Sequence, residues 1–194
     1  MGLVLLSAAT TANYLLEYMT TYASSTLGMS SRVAFGATAV IGASGVICDS
    51  LGGWLSDRFG RKPVMIVPWL LLAVAVLPAF WLLERLRTST ALYTACAVLA
   101  CISTLSSATI IVAITESLPQ RVRSGAVALI YALAISVFGG STQFLVAWII
   151  HATGNPLAPA WYLLCGVIIG LVAMFQLPET APVRTGTTFV AIGS

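Results

Sequence analysis

The sequence predicts an all-α, polytopic membrane protein with six transmembrane helices, and three observations carry that reading. Apolar residues make up 59% of the 194 residues and charged residues only 8%, whereas a soluble domain carries about a quarter charged residues to cover its surface. The few charges fall between apolar runs close to the ~20 residues that a helix needs to cross hydrocarbon. The basic residues, finally, gather unevenly in the short connections between those runs.

The runs follow in order. Leu3–Tyr22 is the first, interrupted by Glu17, and Val33–Leu55 is the second, interrupted by Asp49. Val64–Leu83 and Ala91–Ile114 are free of charge. Between Arg123 and Glu179 there is no charged residue, an interval too long for one crossing. It breaks at the turn formers of His151–Pro159, giving a fifth span at Ala126–Ile150 and a sixth at Trp161–Leu177. Residues 1–180 then form one six-helix domain, and 181–194 form a tail. One side of the membrane collects Arg58, Arg61, Lys62, Arg121, Arg123 and Arg184, and the other Arg32, Arg85 and Arg87. Six cations against three place the first side, and both termini, in the cytoplasm.

Composition also excludes functions. The net charge of +3 rests on few, scattered basic residues, which do not make a nucleic-acid surface. Cys48, Cys96, Cys101 and Cys165 all lie in apolar runs, with no Cys-x-x-Cys pair and no histidine cluster. They read as small buried side chains, neither metal ligands nor a disulfide framework. No cofactor or metal is expected. Met1 and Gly2 run directly into Leu3, and no basic residue appears before Arg32. A signal peptide or a first transmembrane helix normally has flanking charge, so the chain reads as part of something longer. Glycines Gly36, Gly42, Gly45, Gly52 and Gly53 in the second span, Gly139-Gly140 in the fifth and Gly166-x-x-x-Gly170 in the sixth read chiefly as close-packing and flex points.

The connection Gly53-Trp54-Leu55-Ser56-Asp57-Arg58-Phe59-Gly60-Arg61-Lys62-Pro63 carries the most information. Gly60 supplies the positive φ of a tight reversal, and Pro63 suits a first helical turn. Asp57 is anomalous, because a carboxylate at a helix C-terminus faces the negative end of its own helix dipole. It requires a nearby cation or another helix's N-terminus.

This stretch resembles the signature G-x-L-a-D-R-x-G-R-K of the major facilitator superfamily, with every fixed position met. Glu116–Gly125 and Thr153–Tyr162 resemble corresponding stretches of its metabolite:proton symporter branch, as does Pro178-Glu179-Thr180. Tyr18–Tyr22 with Leu27–Ser30 resembles the seventh helix and following loop of the citrate and tricarballylate carriers. The resemblance covers nearly the whole chain and implies the C-terminal six-helix half of a major facilitator fold. It implies that Asp57, Arg58, Arg61 and Lys62, with Glu116, form a conformational charge relay latching the outward-facing state. Gly53 and Gly60 are the glycines of that signature. One departure is Ser50, standing where the branch often has proline, beside an unusual Asp49.

An ionisable group inside the bilayer is a functional candidate by default. Glu17 is the deepest acid, with Tyr14, Tyr18 and Thr21 at helical spacing around it. It is a proton carrier, a wall of the substrate cavity, or a structural acid bonded to a neighbouring helix. Asp49 lies nearer the cytoplasmic end, within reach of water or Arg58. Tyr131, Ser136 and Gln143 on the fifth span line a cavity or bond between helices, and His151 marks the outer boundary. No lysine or arginine falls within a span, so the cationic partners of a carboxylate substrate come from the other half. Transporters of this kind bind substrate at the midplane between their repeats.

The function expected is secondary active transport of a small metabolite, an organic acid such as citrate, by proton symport across the cytoplasmic (inner) membrane. Its partners are the proton, the substrate, the lipid bilayer and an N-terminal half or a second copy of itself. The alternatives are a stand-alone six-helix carrier acting as a homodimer, and an intramembrane serine protease built on Gly42-Ala43-Ser44-Gly45 and His151. The protease reading fails on geometry, since Ser44 lies near mid-bilayer and His151 at its edge. The chain is therefore read as no enzyme.

Overall fold

Charge and hydropathy mark where a run meets the membrane edge, but hydrogen bonding decides where a helix stops, so each run is longer as a helix than as an apolar stretch. The computed structural model describes residues 1–177; the tail 181–194, with Arg184, and the Pro178-Glu179-Thr180 motif lie outside them. The elements are α1 (Gly2–Thr21), α2 (Ser31–Phe59), α3 (Arg61–Leu86), α4 (Ser89–Ser117), α5 (Arg123–Leu133), α6 (Gly140–Thr153) and α7 (Ala158–Gln176). A π-helical turn, Tyr22–Thr26, prolongs α1, and a second, Ala134–Gly139, joins α5 to α6 in one rod of 31 residues. Among the described residues no strand is present.

The rod and the five other helices make six crossings, at the places the apolar runs indicate. α2, α3, α4, the α5–α6 rod and α7 are long and apolar enough to span a bilayer. α1 is the more polar sixth, carrying Thr10, Thr11, Asn13 and Glu17. Its 20 residues rise about 30 Å at 1.5 Å per residue, the thickness of the hydrocarbon core. The polarity is tolerated because α1 is the most enclosed helix: α2, α4, the α5–α6 rod and α7 all pack on it. Leu5, Leu15 and Met19 are fully buried there, among Trp69, Leu72 and Phe80 of α3 and Leu92, Leu99 and Ile110 of α4.

Lipid is as apolar as these side chains, so close fit rather than expulsion from water holds the helices together. At Gly52 a Cβ would run into the backbone carbonyl of Leu105, so α2 and α4 meet backbone to backbone. Gly170 of α7 similarly makes room for the Trp69 ring. α3 contains Pro68 and Pro78. Pro68 has no N–H to give the carbonyl four residues before it, that of Val64. Ser106 of α4, fully buried, supplies the missing donor: its hydroxyl lies 3.2 Å from the Val64 oxygen and 3.1 Å from that of Met65. A helix in lipid tolerates proline on this condition.

Both ends of the bundle are tied. At one end Tyr22 donates to the Pro156 carbonyl at 2.8 Å and packs edge-on to Phe80. The α6–α7 connection there is closed by Gly154 at φ +64° and by the Asn155 side chain, which accepts from Leu157 N–H at 2.9 Å. The opposite end gathers the start of α1, the α2–α3 turn, the end of α4 and the end of α7. α2 and the α5–α6 rod are the least covered helices: 17% and 22% of their most apolar stretches are buried, against 50% for α7. Their remaining faces are left for lipid or for another polypeptide.

Candidate functional site at the Asp57 end

α2 stays helical through Asp57, Arg58 and Phe59 and stops only where Gly60 turns to φ +102°. Gly60 is the sole residue between α2 and α3, so it serves as the C-cap of one and the N-cap of the next. This places Arg61, the first residue of α3, directly beneath the last turn of α2. Arg61 Nη1 lies 2.5 Å from Asp57 Oδ1. On the other side Nη2 lies 3.0 Å from Glu116 Oε1, and Nε 3.4 Å from Glu116 Oε2, a two-pronged contact with the end of α4. Nη1 also donates to the Ser56 hydroxyl at 2.7 Å.

The cluster joins three helix ends through one guanidinium. The cation demanded by the carboxylate at the C-terminus of α2 is Arg61. Exposure differs sharply within the cluster: the Arg61 side chain is 9% exposed, Glu116 29% and Asp57 72%. A cation withdrawn from water is stable where its N–H groups find acceptors, and the Glu116 fork provides the charge-assisted kind. The more exposed Asp57 contact is weakened by hydration. The geometry is that of a buried guanidinium with one partly buried and one solvated carboxylate.

Arg58 and Lys62 adjoin the cluster in sequence but have other partners. The Arg58 guanidinium lies over the Trp54 ring, 5.4 Å from its centre, and 5.9 Å from that of Phe59. It makes no ion pair among the described residues, and it fits a membrane-edge cation with an aromatic platform. Lys62 Nζ lies 3.4 Å from the Phe175 carbonyl, at the C-terminal end of α7, where a cation suits the dipole. Gly53 has nothing within 4 Å of where a side chain would stand, so the signature glycine faces away from this chain. Arg123 closes the α4–α5 connection through the Leu118 carbonyl, at 3.2 and 3.1 Å.

The polar residues within the spans are arranged differently from the sequence expectation. Glu17 is exposed on α1, and among the described residues it has no hydrogen bond or ion pair. Tyr14 and Thr21 share its face, but Tyr18 points into the bundle and is buried. A helical step of 100° turns residue 18 away from residue 17, so Asn13 and Thr20 take the place expected for Tyr18. Thr20 bonds Thr38 of α2 at 2.6 Å. Tyr14 presses on Gly139, where a Cβ would come within 2.7 Å of its ring, and so packs against the π-helical turn of the fifth span. Such turns inside α-helices are frequent at functional sites. Asp49 is exposed on α2 and, among the described residues, pairs with no cation, Arg58 included. Tyr131 is half exposed and lines a cleft of about 670 Å³ with Thr115, Gln120, Arg123 and Ser124. Gln143 and Ser136 are exposed on the same rod.

One further expectation is corrected, and the rejection of the Ser44–His151 pair agrees with the structure. Cys48 and Cys96 are buried, but Cys101 is half-buried and Cys165 exposed on α7, because a lipid-facing position accepts a thiol as readily as a core does. Ser44 and His151 share no hydrogen bond, and His151 is exposed in the last turn of α6, at the opposite end from Asp57. Ser56 was not singled out by sequence at all. Only packing reveals that it is 1% exposed and bonded to Arg61.

A bundle of six membrane-length rods, with a charge cluster at one end and polar side chains on its open face, is the architecture of a polytopic membrane protein. Residues 1–186 match the family described as "Sugar (and other) transporter", and the chain belongs to that family of the major facilitator superfamily. It is similar to the citrate-proton symporter of Klebsiella pneumoniae, 30% identical over 187 residues, covering 96% of this chain and 42% of the relative. It is also similar to the citrate-proton symporter of Salmonella typhi, 29% identical over 91% of this chain and 41% of the relative. The proline/betaine transporter of Escherichia coli K12 is 29% identical over 93% of this chain and 35% of its own length. The chain thus spans less than half the length of these relatives. Among solved structures, the human organic anion transporter MFSD10 (TETRAN) superposes with a TM-score of 0.60, covering 94% of this chain and 47% of the other at 20% identity. That likeness concerns the fold.

Proposed function

We propose that this chain supplies the C-terminal six-helix half of a proton-coupled symporter for a small organic acid such as citrate, working in the cytoplasmic membrane with both termini inside. The observation that carries the proposal is the Arg61 pivot, which bridges Asp57 and Glu116 across the ends of α2, α3 and α4. In this reading the bridge holds those ends together in one conformation and releases them in the other, so that the half rocks about a site at the midplane. The substrate reading leans on relatives named as citrate-proton symporters. Among the described residues lysine and arginine sit only in the end turns of helices or between them, so in this reading the cations for a carboxylate substrate come from the other half, while Glu17, Asn13 and Tyr14 face the cavity from this one.

Proteoliposomes holding the complete two-half transporter test the proposal. An imposed inward proton gradient should drive accumulation of labelled citrate, and Asp57→Asn should cut the rate while leaving the inserted amount unchanged. Accumulation of proline or betaine but not citrate would overturn the substrate. Gradient-independent equilibration would overturn the proton coupling. Gradient-driven uptake by this chain alone would replace the half-transporter reading with a homodimeric carrier.

A further inference from the structure

The relay just proposed, on which this inference rests, names charged groups only. We infer that Ser56 is its positioning residue, a buried neutral acceptor that keeps the Arg61 guanidinium in register while its carboxylate partners exchange.

Ser56 is 1% exposed in the last turn of α2. Its hydroxyl donates to the Gly53 carbonyl at 2.9 Å and accepts from Arg61 Nη1 at 2.7 Å. A hydroxyl has one proton and two lone pairs. Committing the proton to its own helix fixes the direction in which the oxygen meets Arg61. The same Nη1 meets Asp57, whose side chain is 72% exposed, so water competes for that carboxylate. Ser56 differs from both acids in two respects. It carries no charge, so its acceptor strength does not change with protonation, and it is held by backbone rather than by a long side chain. Arg61, 9% exposed, would lose a buried acceptor without it, at the cost of leaving an N–H of a cation unsatisfied. The bland alternative is a serine that only returns a bond to its own helix, as many do. Such a serine is replaceable by alanine.

The test uses the complete transporter in proteoliposomes. Ser56→Ala should lower the maximal uptake rate about three- to tenfold, the scale of one ordinary net hydrogen bond, since Arg61 keeps its two acids. KM for substrate and the amount of inserted protein should stay unchanged. Ser56→Thr, which keeps the hydroxyl, should recover the rate. Adding Ser56→Ala to Arg61→Gln should cost nothing further, because the acceptor then has no guanidinium to hold. Thermal midpoints of the solubilised protein read the same cycle if Arg61→Gln leaves no transport, or if Ser56→Thr fails to insert. A wild-type rate for Ser56→Ala, or strict additivity with Arg61→Gln, overturns the inference and leaves the relay standing. Wild-type transport by Arg61→Gln itself overturns the relay, and this inference with it.

Discussion

Arg61 is the residue whose removal has the most consequences, because it is buried and faces two acids at once. Replacing Glu116 by Gln keeps the shape of the contact and deletes the charge opposite a cation held away from water. That should cost more than a surface pair, whose contribution is below about 1 kcal/mol. A double-mutant cycle of Arg61→Gln and Glu116→Gln should therefore show a coupling of about 1–3 kcal/mol in the thermal stability of the solubilised protein. The Asp57 pair, with one partner largely solvated, should couple by about 1 kcal/mol or less. Equal couplings would contradict the difference in exposure on which the pivot rests. Glu17 makes a separate prediction. It is exposed and, among the described residues, unbonded, so Glu17→Gln should leave the folding of the half untouched. In the complete transporter it should spare substrate exchange but abolish accumulation against a gradient. Uphill accumulation with a normal pH dependence would remove Glu17 from the proton path, and loss of the protein from the membrane would make it a structural acid.

The helices make predictions of their own, because the two contacts that join α4 to its neighbours are of different kinds. Gly52 meets the Leu105 backbone, which no rotamer change can move aside. Gly52→Val should therefore cost about 3 kcal/mol, the upper part of the range for overpacking, and lower the thermal midpoint strongly. Ser106→Ala removes the donor beneath Pro68 but leaves no clash. It should cost about 0.6–1.7 kcal/mol, as interhelical hydrogen bonds in membranes do. If Ser106→Ala proves the more damaging of the two, polar satisfaction rather than close fit governs the α3–α4 and α2–α4 contacts. Neither partner is visible in the sequence. The glycines of α2 are alike on paper, yet Gly52 is jammed against backbone while Gly42 and Gly53 face open space. The six runs were legible because apolar length alone decides which segments can cross a bilayer. Their ends were not, since Asp57-Arg58-Phe59 is charged enough to read as loop but has no reason to leave the helix before Gly60. Asp57 and Arg61 were legible from the signature, and Glu116 from what the family resemblance implies. Ser56 was not, because burial of a small residue is a property of its neighbours.

For the whole molecule, the arrangement of ends constrains how the half sits in the membrane. The Asp57 end holds Arg58, Arg61, Lys62, Arg121 and Arg123, and the opposite end holds Arg32, Arg85, Arg87 and His151. Five cations against three, counted over the described residues, favour the Asp57 end as the inner one. Ser56 is unsuited to a labelling test of this, because its buried side chain would hide an introduced thiol. Gln120, exposed in the connection from α4 to α5, is suited, and so is Asn155 at the other end, also exposed. In a variant of the complete transporter with Cys48, Cys96, Cys101 and Cys165 replaced, a membrane-impermeant thiol reagent should label Gln120→Cys only in inverted vesicles. The same reagent should label Asn155→Cys only from outside intact cells. The paired design matters because a single silent cysteine is ambiguous between wrong side and poor access, whereas a reversal of both positions is not. Reversed labelling would place Arg61 and its acids on the outer face, and a latch there would close the opposite gate. The proposed relay would then hold the inward-facing state instead, and its direction in the transport cycle would have to be inverted.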